Sequence, residues 1–334
     1  MLISGPETYG LSEQQTLAHR AEGDPPEEFA SFWGEFKEEV LATPATWRGA
    51  VDAEINQLVI PSIRAVRVIG RLTLPVERPR GLVIATHGAV APDGFSLDPE
   101  PWSSRQLATL RLRLRGYPPS TLDIEDIREH WIEHRLAVAD SWIVRGAVAD
   151  VVQAYRCARG YFGPDVPIAL HGESLGGGLA VIAARQLSEL GDPPTRLILA
   201  LPSLGDWRWR SSRYCGGLGG RVNEELVRMR DEAPRMMNTL LLFDAAFHAS
   251  GIESPTLCKL AVRDDVVPAP SAAAVFNALP GGRKWRLVTR YGHYDGGIAD
   301  LRRHARFEQI HRRFADPACE PETAIGDRTG HSDL

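Results

Sequence analysis

The chain predicts a doubly wound α/β fold: one large, mostly parallel sheet with helices on both faces. Five short runs carry that expectation: LVIAT (82–86), VPIAL (166–170), LILAL (197–201), TLCKLAV (256–262) and WRLVT (285–289). Each has the continuous apolarity of a strand buried on both faces. Between them lie segments whose apolar residues recur at helical spacing. Strands and helices in alternation place parallel strands side by side with crossover helices packed against them.

Taken in order, residues 1–24 are polar and are expected to wrap the surface. A helix is predicted to open at Pro25 and Pro26 and to run through EEFASFWGEFKEEVL. Proline suits a first turn, acids favour its positive end, and Phe29, Phe32, Trp33 and Phe36 share one face. Extended segments follow at 53–60 and 66–74, so that residues 26–75 form an N-terminal extension to the sheet. Residues 107–114 predict a further strand despite their alternating arginines. A helix over 141–158 is expected to bury Val144, Val148, Val151, Val152 and Tyr155. Residues 205–254 carry Gly-rich turns and helical pieces without a core strand, and predict a cap inserted over a single domain spanning 1–334. The stretch 317–334 is polar and rich in Pro and Gly, which predicts a flexible tail.

Composition narrows the functions. With 334 residues, 43% hydrophobic and 24% charged, the chain has ordinary globular composition. Lys and Arg number 38 against 43 Asp and Glu, a net charge of −5 that calls for no phosphate backbone, so nucleic acid is not an expected partner. No apolar run reaches the ~20 residues of a membrane span, and no basic segment followed by an apolar one marks a secretory signal. A cytoplasmic protein with no membrane partner is expected. Cys157, Cys215, Cys258 and Cys319 are scattered, without a CxxC pair, which speaks against zinc or a disulfide framework. His130 and His134 stand four apart in REHWIEHR but lack the HExxH glutamate, so they are read as lining a helix rather than binding metal.

The chemistry concentrates at residues 171–178, HGESLGGG. Gly172, Glu173, Ser174, Leu175 and Gly176 form a G-x-S-x-G pentapeptide directly after a buried strand and opening a helix, which is the context of a nucleophile elbow. A serine hydroxyl needs a base to take its proton and a carboxylate to orient that base. In this arrangement the acid and then the histidine follow on later loops. The run TLCKLAV leads into Asp264 and Asp265; Asp264 leaves the strand first and is preferred, with Asp265 read as capping the turn before Pro268. The run WRLVT leads into His293. Fixed N–H groups should hold the oxyanion, one from Leu175 and one from Ala89 in the loop after LVIAT. His87 is read as shaping that loop.

Together these features resemble the acetyl xylan esterase and cephalosporin C deacetylase family of α/β-hydrolases over residues 26–315. PEEFASFWGEFKEEV is similar to that family's N-terminal helix, His87-Gly88 to its oxyanion loop, Arg115-Gly116 to the start of its RGQ motif, and Ser174 to Gly178 to its SxGGG elbow. Leu201 to Leu204 resembles its VPFL strand end, and Asp264 to Pro268 its D-x-x-x-P loop, which supports Asp264 over Asp265. Tyr117 replaces the glutamine of RGQ, Ala89 replaces the tyrosine after HG, and His293-Tyr294-Asp295 departs from the family's His-Glu pattern. The resemblance implies a cofactor-independent serine esterase removing acetyl or other short acyl groups from a small alcohol or sugar, in a homo-oligomer that could be a hexamer. An acyltransferase or peptidase on the same residues, or a catalytically silent binding protein, are the competing readings. Trp102, Trp131, Trp207 and Trp209 could stack on a sugar but are better read as packing.

Overall fold

The computed structural model describes residues 8–49, 56–91, 95, 101–293 and 296–325. Eight strands form one sheet in the order β1-β2-β4-β3-β5-β6-β7-β8. They are β1 (Asn56–Pro61), β2 (Arg67–Thr73), β3 (Gly81–Thr86), β4 (Leu107–Arg113), β5 (Ile168–Glu173), β6 (Arg196–Ala200), β7 (Thr256–Arg263) and β8 (Lys284–Tyr291). All six strands from β3 to β8 are mutually parallel, whereas β1 and β2 pair antiparallel with each other and β2 pairs antiparallel with β4. The cause lies in the connections. Only a short turn around Ile63–Ala65 separates β1 from β2, and a short turn joins antiparallel partners, while a parallel pair needs a long crossover. The run at 107–114 forms β4 with Leu110 and Leu112 buried on one face and Leu107, Thr109 and Arg113 buried on the other.

The helices are α1 (Glu13–Ala18), α2 (Phe29–Ala42), α3 (Ile143–Phe162), α4 (Leu175–Glu189), α5 (Trp207–Arg210), α6 (Gly217–Arg228), α7 (Ala233–Leu242), α8 (Ala245–Ala249), α9 (Ala269–Ala278), α10 (Gly297–Ala315) and α11 (Pro321–Ile325). On one side of the sheet, α3 and α4 are buried almost throughout, and Val144, Val148, Val151, Val152 and Tyr155 lie in the core as their spacing predicts. On the other, Phe307, Ile310 and Phe314 of α10 join Val83, Ile198 and Leu257 in a separate apolar cluster. Residues 205–254 hold α5 to α8. Phe243, Ala245 and Ala249 sit in the main core, and the Trp33 indole of α2 donates to the carbonyl of Leu242 at 3.0 Å.

Several boundaries differ from expectation. The N-terminal helix starts at Phe29 rather than at the prolines, with no side-chain cap. Residues 1–24 are not wholly irregular, because α1 forms on a capping box in which Ser12 and Gln15 satisfy each other's backbone N–H groups. The stretch from residue 317 on, expected to be a tail, is folded as far as Ile325. Here α11 folds and buries Ala324 and Ile325 against the α10 cluster, since the apolar residues of PETAI fall on one side. His130 and His134 do not share an α-helix: Arg128–His130 is a 3-10 turn followed by further turns, and His130 is exposed. The described part of the first extended segment begins at Asn56; residues 50–55 and 326–334 lie outside the described residues.

Candidate active site

The strand β5 ends in a sharp turn into α4, and Ser174 sits at its tip with φ 53° and ψ −116°. That backbone is strained for a residue bearing a Cβ, and it holds only because the surroundings over-determine it. The Ser174 N–H donates to the Ala200 carbonyl at 2.8 Å, and its own carbonyl accepts from Ser203 N–H at 3.0 Å. Glycines flank the serine for a steric reason. A Cβ on Gly172 would lie 2.1 Å from the Gly176 carbonyl oxygen, and one on Gly176 would lie 2.6 Å from that of Thr86.

The three polar residues singled out on separate loops meet here. His293 Nε2 is 3.2 Å from Ser174 Oγ, and His293 Nδ1 is 2.7 Å from Asp264 Oδ2. Asp264 is buried, and its other oxygen accepts the N–H groups of Val266 at 3.0 Å and Val267 at 3.1 Å. So Asp264 itself caps the turn that Asp265 was expected to cap, and the Asp265 backbone carbonyl accepts from Gly216 N–H at 2.6 Å. The histidine loop approaches Asp264 closely enough to require glycine beside it, because a Cβ on Gly292 would fall 1.8 Å from Asp264 Oδ2. Asp300 of α10 fixes the end of β8 by accepting the N–H groups of Arg290 and Tyr291, both at 2.7 Å.

Leu175 is the first residue of α4, so its N–H has no intrahelical acceptor and lies next to the serine. Gly88 packs against the elbow, where an added Cβ would stand 3.5 Å from the Ser174 Cβ, and this brings the Ala89 segment to the same cavity. His87 holds that loop. Its Nδ1 pairs with the Gly88 carbonyl at 2.7 Å, and Leu114 N–H donates to its Nε2 at 3.2 Å. Those partners require the neutral ring, and burial pushes its pKa down to about 4.

The cavity over Ser174 measures about 510 Å³. Leu218, Val266 and Val267 give it an apolar side; Tyr117, Arg128 and Arg221 give it a polar one. None of the four candidate tryptophans lines it. Trp131 and Trp207 are buried, Trp131 donating to the Arg115 carbonyl at 2.8 Å, and Trp209 stacks edge-on with Tyr9. One positioning pair escaped the sequence reading. Buried Arg115 grips Asp150 of α3 through Nε at 3.0 Å and Nη2 at 2.6 Å, which anchors the chain leaving β4 beside the His87 loop. Nothing in the sequence pairs an arginine with an acid 35 positions away, although Asp150 stands out on an otherwise apolar helix face.

A parallel sheet with a serine on a strand–turn–helix elbow, and an acid and a histidine supplied from the next strand ends, defines an α/β-hydrolase. Comparison with known proteins narrows the class. The family model for acetyl xylan esterase (AXE1) matches residues 8–311. The chain belongs to that family, and it is a carboxylic ester hydrolase. Among solved structures, the acetyl xylan esterase from Paenibacillus sp. R4 superposes with a TM-score of 0.73 at 22% identity, over 89% of this chain and 99% of that one. Acetyl xylan esterase 1 from Thermoanaerobacterium sp. JW/SL YS485 gives 0.73 at 18%, over 89% and 98%. An acylaminoacyl peptidase from Pyrococcus horikoshii shares the fold more distantly, with a TM-score of 0.56 at 12% identity over 80% of this chain and 41% of that one.

Proposed function

We propose that the protein is a serine esterase that removes short acyl groups, acetyl above all, from a small alcohol or sugar. The observation that carries this reading is the continuous chain from Ser174 Oγ through the His293 ring to the Asp264 carboxylate, on an elbow in a family of ester hydrolases. Ser174 Oγ attacks the ester carbonyl while His293 Nε2 takes its proton. Asp264 holds the Nδ1–H and stabilises the imidazolium. The oxyanion lies against the N–H groups of Ala89 and Leu175. Collapse of the intermediate breaks the acyl–oxygen bond, His293 returns the proton to the departing alcohol, and an acyl-enzyme remains. Water, activated by the same histidine, then releases the acid. The apolar patch of Leu218, Val266 and Val267 suits a short acyl chain, and Tyr117 and Arg221 bring polar groups to the side that would face a hydroxylated alcohol.

The test is a series of p-nitrophenyl esters of increasing chain length beside acetylated sugars. The expected result is kcat/KM highest for acetate and falling beyond butyrate; preference for long acyl chains would contradict the reading. Assembly belongs to the same proposal: a homo-oligomer is expected, with the edge strand β1 contributing to its contacts, and light scattering should give several times 36.8 kDa.

A further inference from the structure

A second cavity, of about 390 Å³, lies between the sheet and α10, behind the loop His87–Val90. Its wall is unusual for the inside of an α/β domain. Lys259 stands in the middle of the apolar strand β7 and is only 6% exposed. Among the described residues its ammonium forms no ion pair; it meets His304 Nδ1 at 3.4 Å and the Phe307 ring at 5.4 Å. Buried ammonium groups are ordinarily paired, since desolvating an unpaired charge is costly.

Among the described residues, further polar atoms around the same space lack partners. The Trp102 indole N–H, His171 Nδ1 and both ring nitrogens of His311 are buried without a hydrogen bond. His311 is 3% exposed, and Glu308 Oε2 approaches its Nδ1 no closer than 3.6 Å. Buried polar groups are nearly always satisfied, so a cluster of unsatisfied ones facing a cavity points to a missing partner. Charge indicates its sign. Among the described residues buried Lys259 has no ion pair, which favours an anion, and it shares the wall with Glu173 and Glu308 and with two neutral histidines. Burial keeps them neutral, pushing His171 to about 4 and His311 to about 2. Phe95 beneath Arg113 and Phe307 beside Lys259 add aromatic faces to walls that also include Ala85, Leu112 and Ala200.

We propose that this cavity is a binding site for a small organic carboxylate with an apolar body, its carboxylate against Lys259 and the Trp102 and His311 N–H groups. The site is separate from the one over Ser174, and it does not depend on the reaction assigned there. The two cavities share Gly88, Val90 and Glu173, so an occupant would press on the loop that presents Ala89.

Calorimetric titration with sodium benzoate tests this, with inorganic phosphate as the second arm. Benzoate should bind saturably at one site per chain, and phosphate should not. Lys259→Met and His311→Leu should each weaken benzoate binding about tenfold or more, the scale of a lost charged hydrogen bond. Both should keep the wild-type circular dichroism and hydrolyse p-nitrophenyl acetate within about twofold of wild type. Ser174→Ala should bind benzoate as wild type does, whether or not it is an esterase nucleophile. Two variants guard against one failing to fold, and a folded variant of either kind suffices. No saturable benzoate binding up to 10 mM (about a −3 kcal/mol interaction), tighter binding of phosphate, or unchanged affinity in a folded wall variant would each overturn the proposal.

Discussion

Replacing Asp264 by Asn separates its two duties, because its two oxygens have different partners. Oδ1 accepts the Val266 and Val267 N–H groups, and Oδ2 faces His293 Nδ1. An asparagine keeps its carbonyl oxygen toward the two backbone donors, since a reversed amide would set N–H against N–H. Its NH2 then points at Nδ1 and selects the tautomer that carries hydrogen on Nε2. That ring presents a donor to Ser174 Oγ where an acceptor is required. The expected cost is about 10⁴ in kcat/KM, equivalent to roughly 5 kcal/mol of transition-state stabilisation. The fold should survive, with a melting temperature near that of wild type. Asp264→Ala, by contrast, also strands two N–H groups at about 1–3 kcal/mol each, and should lower the melting temperature as well as the rate. Asp265→Asn should lose far less activity, because the carboxylate that meets His293 Nδ1 is that of Asp264. The assay is p-nitrophenyl acetate hydrolysis beside thermal unfolding. A folded Asp264→Asn enzyme within tenfold of wild type, or a greater loss for Asp265→Asn, would refute the reasoning.

Two other outcomes follow from the packing. Gly292→Ala should displace the Asp264 carboxylate, since the new Cβ would lie 1.8 Å from Oδ2; a loss of about 10² in kcat with a folded protein is expected, and an unimpaired variant would contradict the close approach. Acid should destabilise the fold: burial pushes His87 to about 4 and His248 to about 3, so below pH ~6.5 the unfolded chain takes up protons that the folded chain refuses. Each histidine then removes about 2–3 kcal/mol by pH 4.5. Asp244, pushed up to about 6 by burial, is protonated more readily when folded and offsets part of this loss. The melting temperature should therefore fall steadily from pH 6.5 to 4.5, less so in His248→Gln, and a flat profile would contradict it.

Continuous apolarity made the central strands legible, because β3, β5, β6 and β7 are buried on both faces and need no polar alternation, whereas β8 at the sheet edge alternates Trp285 and Leu287 with Lys284 and Arg286. The elbow was legible for a steric reason, since glycines on both sides of a serine record how closely the strand, helix and neighbouring loop approach. Asp264 and His293 were legible by position alone, one strand end each. Other features depend on contacts between distant residues. Gly292 is required by the Asp264 carboxylate, which leaves no local pattern. Asp264 carries the capping duty expected of Asp265, because the carboxylate that leaves the strand turns back over its own loop. Lys259 was present in TLCKLAV as a charge inside a buried strand, and His171 precedes the elbow; read together, two polar residues on one sheet face would have pointed to the second cavity. The short helices α1 and α11 were obscured because each gains its stability from packing rather than from length.

The central claim, that Ser174 is the attacking nucleophile, is tested most directly by a serine-directed fluorophosphonate followed by peptide mapping. The expected result is one label per chain, on the peptide containing Ser174, with hydrolysis lost in step with labelling. Ser174→Ala should neither label nor turn over above roughly 10⁻³ of the wild-type rate, while unfolding at a similar temperature. Label on a different serine, or an alanine variant that still hydrolyses p-nitrophenyl acetate at near the wild-type rate, would contradict it.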